Sequence, residues 1–340
     1  MPNFRRLTPP ALILAAVLAT GTLCNAAPIS ASQTKVALRR ISTSPDVSRI
    51  LSQIAKAAMR EFPEKLTPDN FAMSLIVDND PNPRIGGYHE RRPFYPASVI
   101  KICYATALEH AFEIGKLERN ATTLSDLDLM LRISSNSATN RILDRLTQTE
   151  SRPELPAAEL AIFAAKRQTV NDYLRMRGFR DTNACQKTWD IEPFGRDLQF
   201  LGTNFENRNQ MTCEETARLI WLIKHEKVAS AAGCQEILDK IRRRPANTRD
   251  IQACRIGGGI PTESALWSKA GWTDNTNHDA AYVELPKGEP FVLVIFTNTS
   301  WKDAEIIRWI TKRVVTHIQL GSITPQTPKA GRPRASGSGR

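Results

Sequence analysis

The order of segment types constrains the fold of this chain more than any single residue does. Strand-like runs lie near both ends of its body and helix-like runs fill the middle. Residues 71–77 are almost wholly apolar. A dense turn cluster, Asp78-Asn79-Asp80-Pro81-Asn82-Pro83, separates them from a second short run at 85–89, as in a hairpin. Three further runs come late, at 265–270, 279–285 and 291–297, the last being unbroken in its apolar character like a central strand. Helices are expected from Ser44-Pro45 to 62, with apolar residues at Ile50, Leu51, Ile54, Ala57 and Ala58, and from 301 to 318. Between them the pattern predicts helices over 98–117, 125–131, from a polar junction at 134–137 to 146, and 170–177, which stops at Gly178. Residues 180–211 have no clear periodicity. Thr212-Cys213-Glu214-Glu215 has the capping-box pattern and opens a helix to 224, followed by another to 243. Strands at both ends must share a sheet if each is to bury its apolar face. The expected class is α+β: a five-stranded antiparallel sheet flanked by N- and C-terminal helices, with an all-helical subdomain of about 97–225 inserted.

The ends read differently from this body, 44–320. Arg5 and Arg6, the thirteen-residue apolar run 11–23 and the small residues Asn25-Ala26-Ala27 have the form of a signal peptide over 1–27. The run is too short to span a membrane, and Gly21-Thr22-Leu23 before Cys24 is a poor lipid-anchor signal. Residues 28–43 read as a linker, and 321–340 as a disordered basic tail. An exported protein, secreted or periplasmic, is expected. Two charges of the net +11 come from the leader and four from Lys329, Arg332, Arg334 and Arg340, which leaves about +5 for the body. No aromatic-basic interleaving points to nucleic acid. Five cysteines follow the leader: Cys103 is expected to be a small buried hydrophobe, and Cys185, Cys213, Cys234 and Cys254 are enough for up to two disulfides. With no Cys-x-x-Cys pair and scattered histidines, neither a metal nor another cofactor is expected. No pattern specifies an oligomer, and a monomer is the expectation.

Ser98-Val99-Ile100-Lys101 places a hydroxyl and an amine three residues apart at the start of an apolar helix, on one face. A serine hydroxyl needs an adjacent base, and a lysine in a dry site beside another cation can lose its proton and serve as one. Ser134-Ser135-Asn136 lies at a helix junction and Lys269-Ala270-Gly271 at the end of a strand, where glycine lets a ligand approach the backbone.

Together and in this order the three clusters resemble the penicillin-recognising serine hydrolases, most closely the class A β-lactamases. Tyr95-Pro96-Ala97-Ser98-Val99-Ile100-Lys101 is similar to the family's nucleophile segment, and Ile133 to Asn140 to its Ser-Asp-Asn segment; the resemblance covers roughly 45–320. It implies the β-lactamase/transpeptidase fold and acyl transfer through Ser98. Lys101 would take the proton of Ser98, or hold a water or hydroxyl that does. Ser134 would pass a proton to the leaving nitrogen, Asn136 would bind the substrate amide, and Lys269 would stabilise negative charge. The N–H groups of Ser98 and Trp272 would form the oxyanion hole, and Gly271 would let the substrate approach the strand. Three positions depart from the family pattern. Ser135 replaces an aspartate. Ala270 replaces a hydroxyl that helps hold the substrate carboxylate, so that Thr273 supplies another or the substrate differs. In Trp189-Asp190-Ile191-Glu192-Pro193, Glu192 is the candidate for activating the deacylating water, but Phe194-Gly195-Arg196 follows where Leu-Asn is expected. The implied substrates are small-molecule β-lactams or related peptide-like amides. A cell-wall D-peptide carboxypeptidase (a penicillin-binding protein) and a non-catalytic binding protein on the same scaffold are the alternatives.

Overall fold

The structure, a computed structural model, describes residues 28–79, 81–190, 192–245 and 250–323. The expected leader, 1–27, and the tail from 324 onward lie outside the described residues.

The first described element corrects the linker reading. Ser30 caps a helix, α1 (Ala31–Arg40), through a capping box with Gln33, and β1 (Ser42–Thr43) follows. Thr34 is buried and donates to the Lys227 carbonyl, and the Ile29 carbonyl accepts from Arg177. The helix has no broad apolar stripe, so periodicity did not reveal it; its cap and tertiary contacts hold it.

Ser44 then caps α2 (Pro45–Glu61) with Pro45 in the first turn. The hairpin strands are β2 (Phe71–Val77) and β3 (Arg84–Tyr88). The helical insertion contains α3 (Lys101–Glu113), α4 (Ala121–Arg132), α5 (Asn136–Thr147), α6 (Ala157–Arg167), α7 (Thr169–Arg177), α8 (Gly195–Leu201) and α9 (Cys213–Lys224). The chain finishes with α10 (Ala231–Ile241), β4 (Arg242–Arg243), β5 (Ala265–Thr273), β6 (Thr276–Glu284), β7 (Phe291–Thr297) and α11 (Ala304–Gln319). Two of these helices had not been expected. α6 buries only Phe163 and Arg167, so it shows little polar-apolar contrast, and α8 is seven residues long inside the aperiodic 180–211 segment.

The sheet has seven strands in the order β1-β3-β2-β7-β6-β5-β4, not five. The five long strands are the expected antiparallel ones. Two-residue strands extend each edge, β1 parallel to β3 and β4 antiparallel to β5, and two residues are too few to carry a period. Along β7, Phe291, Leu293 and Ile295 face α2 and α11, while Val292, Val294 and Phe296 face the helical insertion. Burial on both faces explains the unbroken apolar run. At about 25 cal/mol per Å² of apolar area removed from water, these two layers dominate the stability.

Thr212 caps α9 as expected, but the box is only half closed. Glu215 turns away to accept from the Arg180 and Asp181 N–H groups and the Thr182 hydroxyl, which pins the start of the 180–211 segment. All five described cysteines are free thiols, four of them buried and Cys254 half-buried, so the disulfides allowed by the sequence are not formed.

Candidate active site

The nucleophile segment crosses onto the sheet through a strained turn. Ala97 has φ +46°, a left-handed backbone uncommon for a residue with a side chain, and Ala97–Ile100 form one 3-10 turn that leads into α3. In a 3-10 turn positions i and i+3 eclipse, which sets Ser98 and Lys101 on one side of the chain. Ser98 is half-buried and Lys101 fully buried. The side-chain hydrogen bonds of Lys101 do not go to Ser98: its Nζ donates to the Ser134 carbonyl (2.6 Å), the Ser134 hydroxyl (3.1 Å) and Asn136 Oδ1 (2.7 Å).

Ser134 also has a left-handed backbone, φ +62°, and Ser135 caps α5 by accepting from the Ala138 N–H. A hydroxyl is thus an adequate substitute for a carboxylate at 135. The Ser134 hydroxyl is shared by two amines, since Lys269 Nζ lies 2.9 Å from it. Lys269 alternates with its strand neighbours so that it points toward the helical insertion, where it also donates to Gln252 Oε1 (3.0 Å) and the Ala270 carbonyl (2.7 Å). Neither lysine touches a carboxylate. Burial lowers the pKa of Lys101 to about 7, against a rise from nearby Asp190. Burial, followed by the charges of Lys101, Arg243 and Arg255, pushes Lys269 well below the ordinary lysine value.

The loop carboxylate that reaches this cluster is Asp190, not Glu192. Asn136 Nδ2 donates to Asp190 Oδ1 at 2.7 Å. Asp190 is delivered by a ladder along α5, in which Asp144 accepts from Lys187 Nζ (2.7 Å), Asn140 Oδ1 from the Thr188 N–H (2.9 Å), and Asn136 meets Asp190. These three helix residues are spaced by four and share one face, a signal present in the sequence. Glu192 is exposed and lines a cavity of about 400 Å³ with Tyr95, Pro193, Leu198, Phe205 and Arg208, and no hydrogen bond joins it to Lys101 or Asn136.

On the strand side, a Cβ at Gly271 would lie 2.7 Å from the Pro96 carbonyl oxygen, 2.7 Å from the Ser98 nitrogen and 2.8 Å from the Val99 nitrogen. Only glycine lets β5 back onto the nucleophile turn. Trp272 is half-buried and Thr273 exposed; the Thr273 hydroxyl is engaged in the β5–β6 turn with Thr276 Oγ1 and the Asn275 N–H. A buried cation beside Trp272 was missed in the sequence. Arg255 is fully buried, stacks 4.7 Å from the Trp272 ring, and donates to Asn277 Oδ1 and the Ile251 carbonyl, while its Nη2 is buried without a partner. It precedes β5 in an irregular segment, so no periodicity marked it.

No helix among the described residues is long and apolar enough to cross a membrane. No curated protein matches the chain. Solved structures share the fold at low identity. The β-lactamase of Sphaerobacter thermophilus superposes with a TM-score of 0.57 at 18% identity, covering 81% of this chain and 98% of that one. PBP-A gives 0.55 at 18%, covering 81% and 97%. A variant of the class A β-lactamase of the last common ancestor of Gram-negative bacteria gives 0.57 at 16%, covering 79% and 97%. The profile of the β-lactamase enzyme family matches residues 56–318, from α2 to the end of α11 and so across every cluster above, and the chain belongs to that family.

Proposed function

We propose that this protein is a serine hydrolase that cleaves β-lactam or related amide bonds through an acyl-enzyme at Ser98. The observation that carries the reading is the Ser134 hydroxyl held between two buried amines, Lys101 and Lys269, neither of which is paired with a carboxylate. An amine of pKa about 7 is substantially neutral at neutral pH and can accept a proton. Ser98 Oγ adds to the carbonyl carbon as its proton passes to Lys101, directly or through a water or hydroxyl. The carbonyl oxygen becomes an oxyanion between the N–H groups of Ser98 and Trp272, where each donor contributes about 3 kcal/mol. The C–N bond then breaks, the nitrogen takes the Ser134 proton, and Lys101 restores it. Asn136 orients the substrate amide. Arg255 is the group best suited to a substrate carboxylate, because its Nη2 lacks a partner.

Hydrolysis of the ester requires an activated water, and we assign that step to Asp190, a reading supported by its hydrogen bond to Asn136. Its tie to Asn136 also supports a second reading, a penicillin-binding D-peptide carboxypeptidase, in which the carboxylate is occupied and β-lactam adducts persist. The signal-like leader supports action outside the cytosol for either.

Intact-mass measurement on the mature protein after mixing with penicillin tests these readings. A transient adduct with turnover is expected, and a long-lived adduct would favour the carboxypeptidase. No adduct with penicillin or with a fluorophosphonate would overturn the serine-hydrolase reading. Ser98→Ala should reduce turnover by about 10^4-fold or more while the fold is retained.

A further inference from the structure

A buried imidazole outside the catalytic cluster grips the nucleophile turn from below. His278 lies in β6, directly across from Gly271 in β5 and Phe296 in β7. Cross-strand partners share a face, so His278 stands beside the space left open at Gly271. It is fully buried between the rings of Phe94 and Phe296, with centroids at 6.1 and 4.6 Å. The Thr297 N–H points at its Nδ1 (3.1 Å), which makes Nδ1 the acceptor. The proton therefore sits on Nε2, 2.9 Å from the Tyr95 carbonyl oxygen, to which it donates. Burial lowers the pKa to about 4, and the Arg255 charge acts in the same direction, so this neutral tautomer persists at neutral pH.

Two residues beyond Tyr95 comes the left-handed Ala97, and then Ser98. Such a backbone persists only where its surroundings hold it from both sides. Downstream, the Val99 N–H closes on the Pro96 carbonyl (3.1 Å), and the Lys101 N–H caps the turn at the Ser98 carbonyl. Upstream, Phe94 pairs with Met211, and the Tyr95 carbonyl is held by His278.

We propose that His278 is a positioning residue for acylation: by holding the Tyr95 carbonyl it keeps Ala97 left-handed and aims the Ser98 N–H at the substrate oxygen. The proposal rests on the serine-hydrolase reading for its kinetic consequence and on the fold alone for its geometry.

His278→Gln and His278→Met test it as a pair, since the side chains are close in shape and only glutamine donates. Single-turnover acylation by penicillin, counted per folded molecule, should fall on the order of 10- to 100-fold in H278M with ground-state binding changed by less than about threefold. H278Q should recover most of the rate. Amide hydrogen exchange across 94–100 should quicken in H278M and not in H278Q. Equal rates and equal exchange in the two variants would overturn the proposal. If the variants do not fold, nitrogen NMR of the wild-type ring decides: a proton on Nδ1 overturns the assignment and a proton on Nε2 supports it. Wild-type protein inert to penicillin and fluorophosphonate would defeat the serine-hydrolase reading, and the exchange and NMR results would still judge the clamp.

Discussion

At the scale of single residues, the charge state of Lys101 governs the proposed chemistry. Burial brings its pKa to about 7, so the neutral base is scarce below that pH and dominant above it. The acylation rate constant should therefore rise with pH through a midpoint near 7 and level off above it, as single-turnover mixing across pH 5 to about 9 would record. Asp190 raises the pKa of Lys101, so Asp190→Asn should move that midpoint to lower pH and slow deacylation, whereas Glu192→Gln should leave both unchanged. A shift with E192Q and none with D190N would reverse the assignment. Gly271→Ala would put a methyl against three backbone atoms that cannot rotate away. We expect a loss of about 1–3 kcal/mol in denaturant unfolding and a larger loss in acylation, because the displaced atoms include the Ser98 nitrogen. At this scale Ser98, Lys101, Ser134, Asn136, Lys269 and Gly271 were legible because each sits in a short run with a recognisable spacing. Asp190 was not, since loop positions 190 and 192, two residues apart, both carry acids and only the path of the chain decides which one meets Asn136.

At the scale of elements, helix α5 is a measuring rod for the active-site loop. Its residues Asn136, Asn140 and Asp144 receive Asp190, Thr188 and Lys187 in reverse order, so the loop register is read off one helical face. Asn140→Ala removes the middle rung and leaves the Thr188 N–H unpaired, at a cost of about 1–2 kcal/mol. Deacylation should slow more than acylation, because Asp190 moves while Ser98, Lys101 and Ser134 stay anchored elsewhere; equal slowing of both steps in a burst experiment would refute this. Helices with a buried stripe or a clear cap, such as α2, α7 and α9, were legible in the sequence. α1 and α6 were not: each buries only two residues and so has no periodic apolar face, and α6 also lacks a side-chain cap.

At the scale of the whole molecule, the sheet joins strands from both ends of the chain, and the groups to which the proposed chemistry is assigned converge where the helical insertion meets β5. The N-terminal segment belongs to this unit. Removing residues 28–41 would take away the Ile29 carbonyl that buried Arg177 uses and the Thr34 contact to Lys227. The thermal midpoint should fall by about 5 °C or more, while penicillin still labels one serine per folded molecule; an unchanged midpoint would return the segment to a linker. The sequence by itself determined the segment order, the central place of β7 in the sheet, and the three clusters with their spacings, because these are local patterns of side-chain chemistry along a chain of known period. Tertiary structure alone decided that Asp190 is the loop carboxylate hydrogen-bonded to Asn136, that Arg255 lies under Trp272, that no cysteine among the described residues is bridged, and that two amines share one hydroxyl. Those facts depend on distances between segments that lie up to 135 residues apart in the sequence, and on desolvation, which exists only once the segments pack.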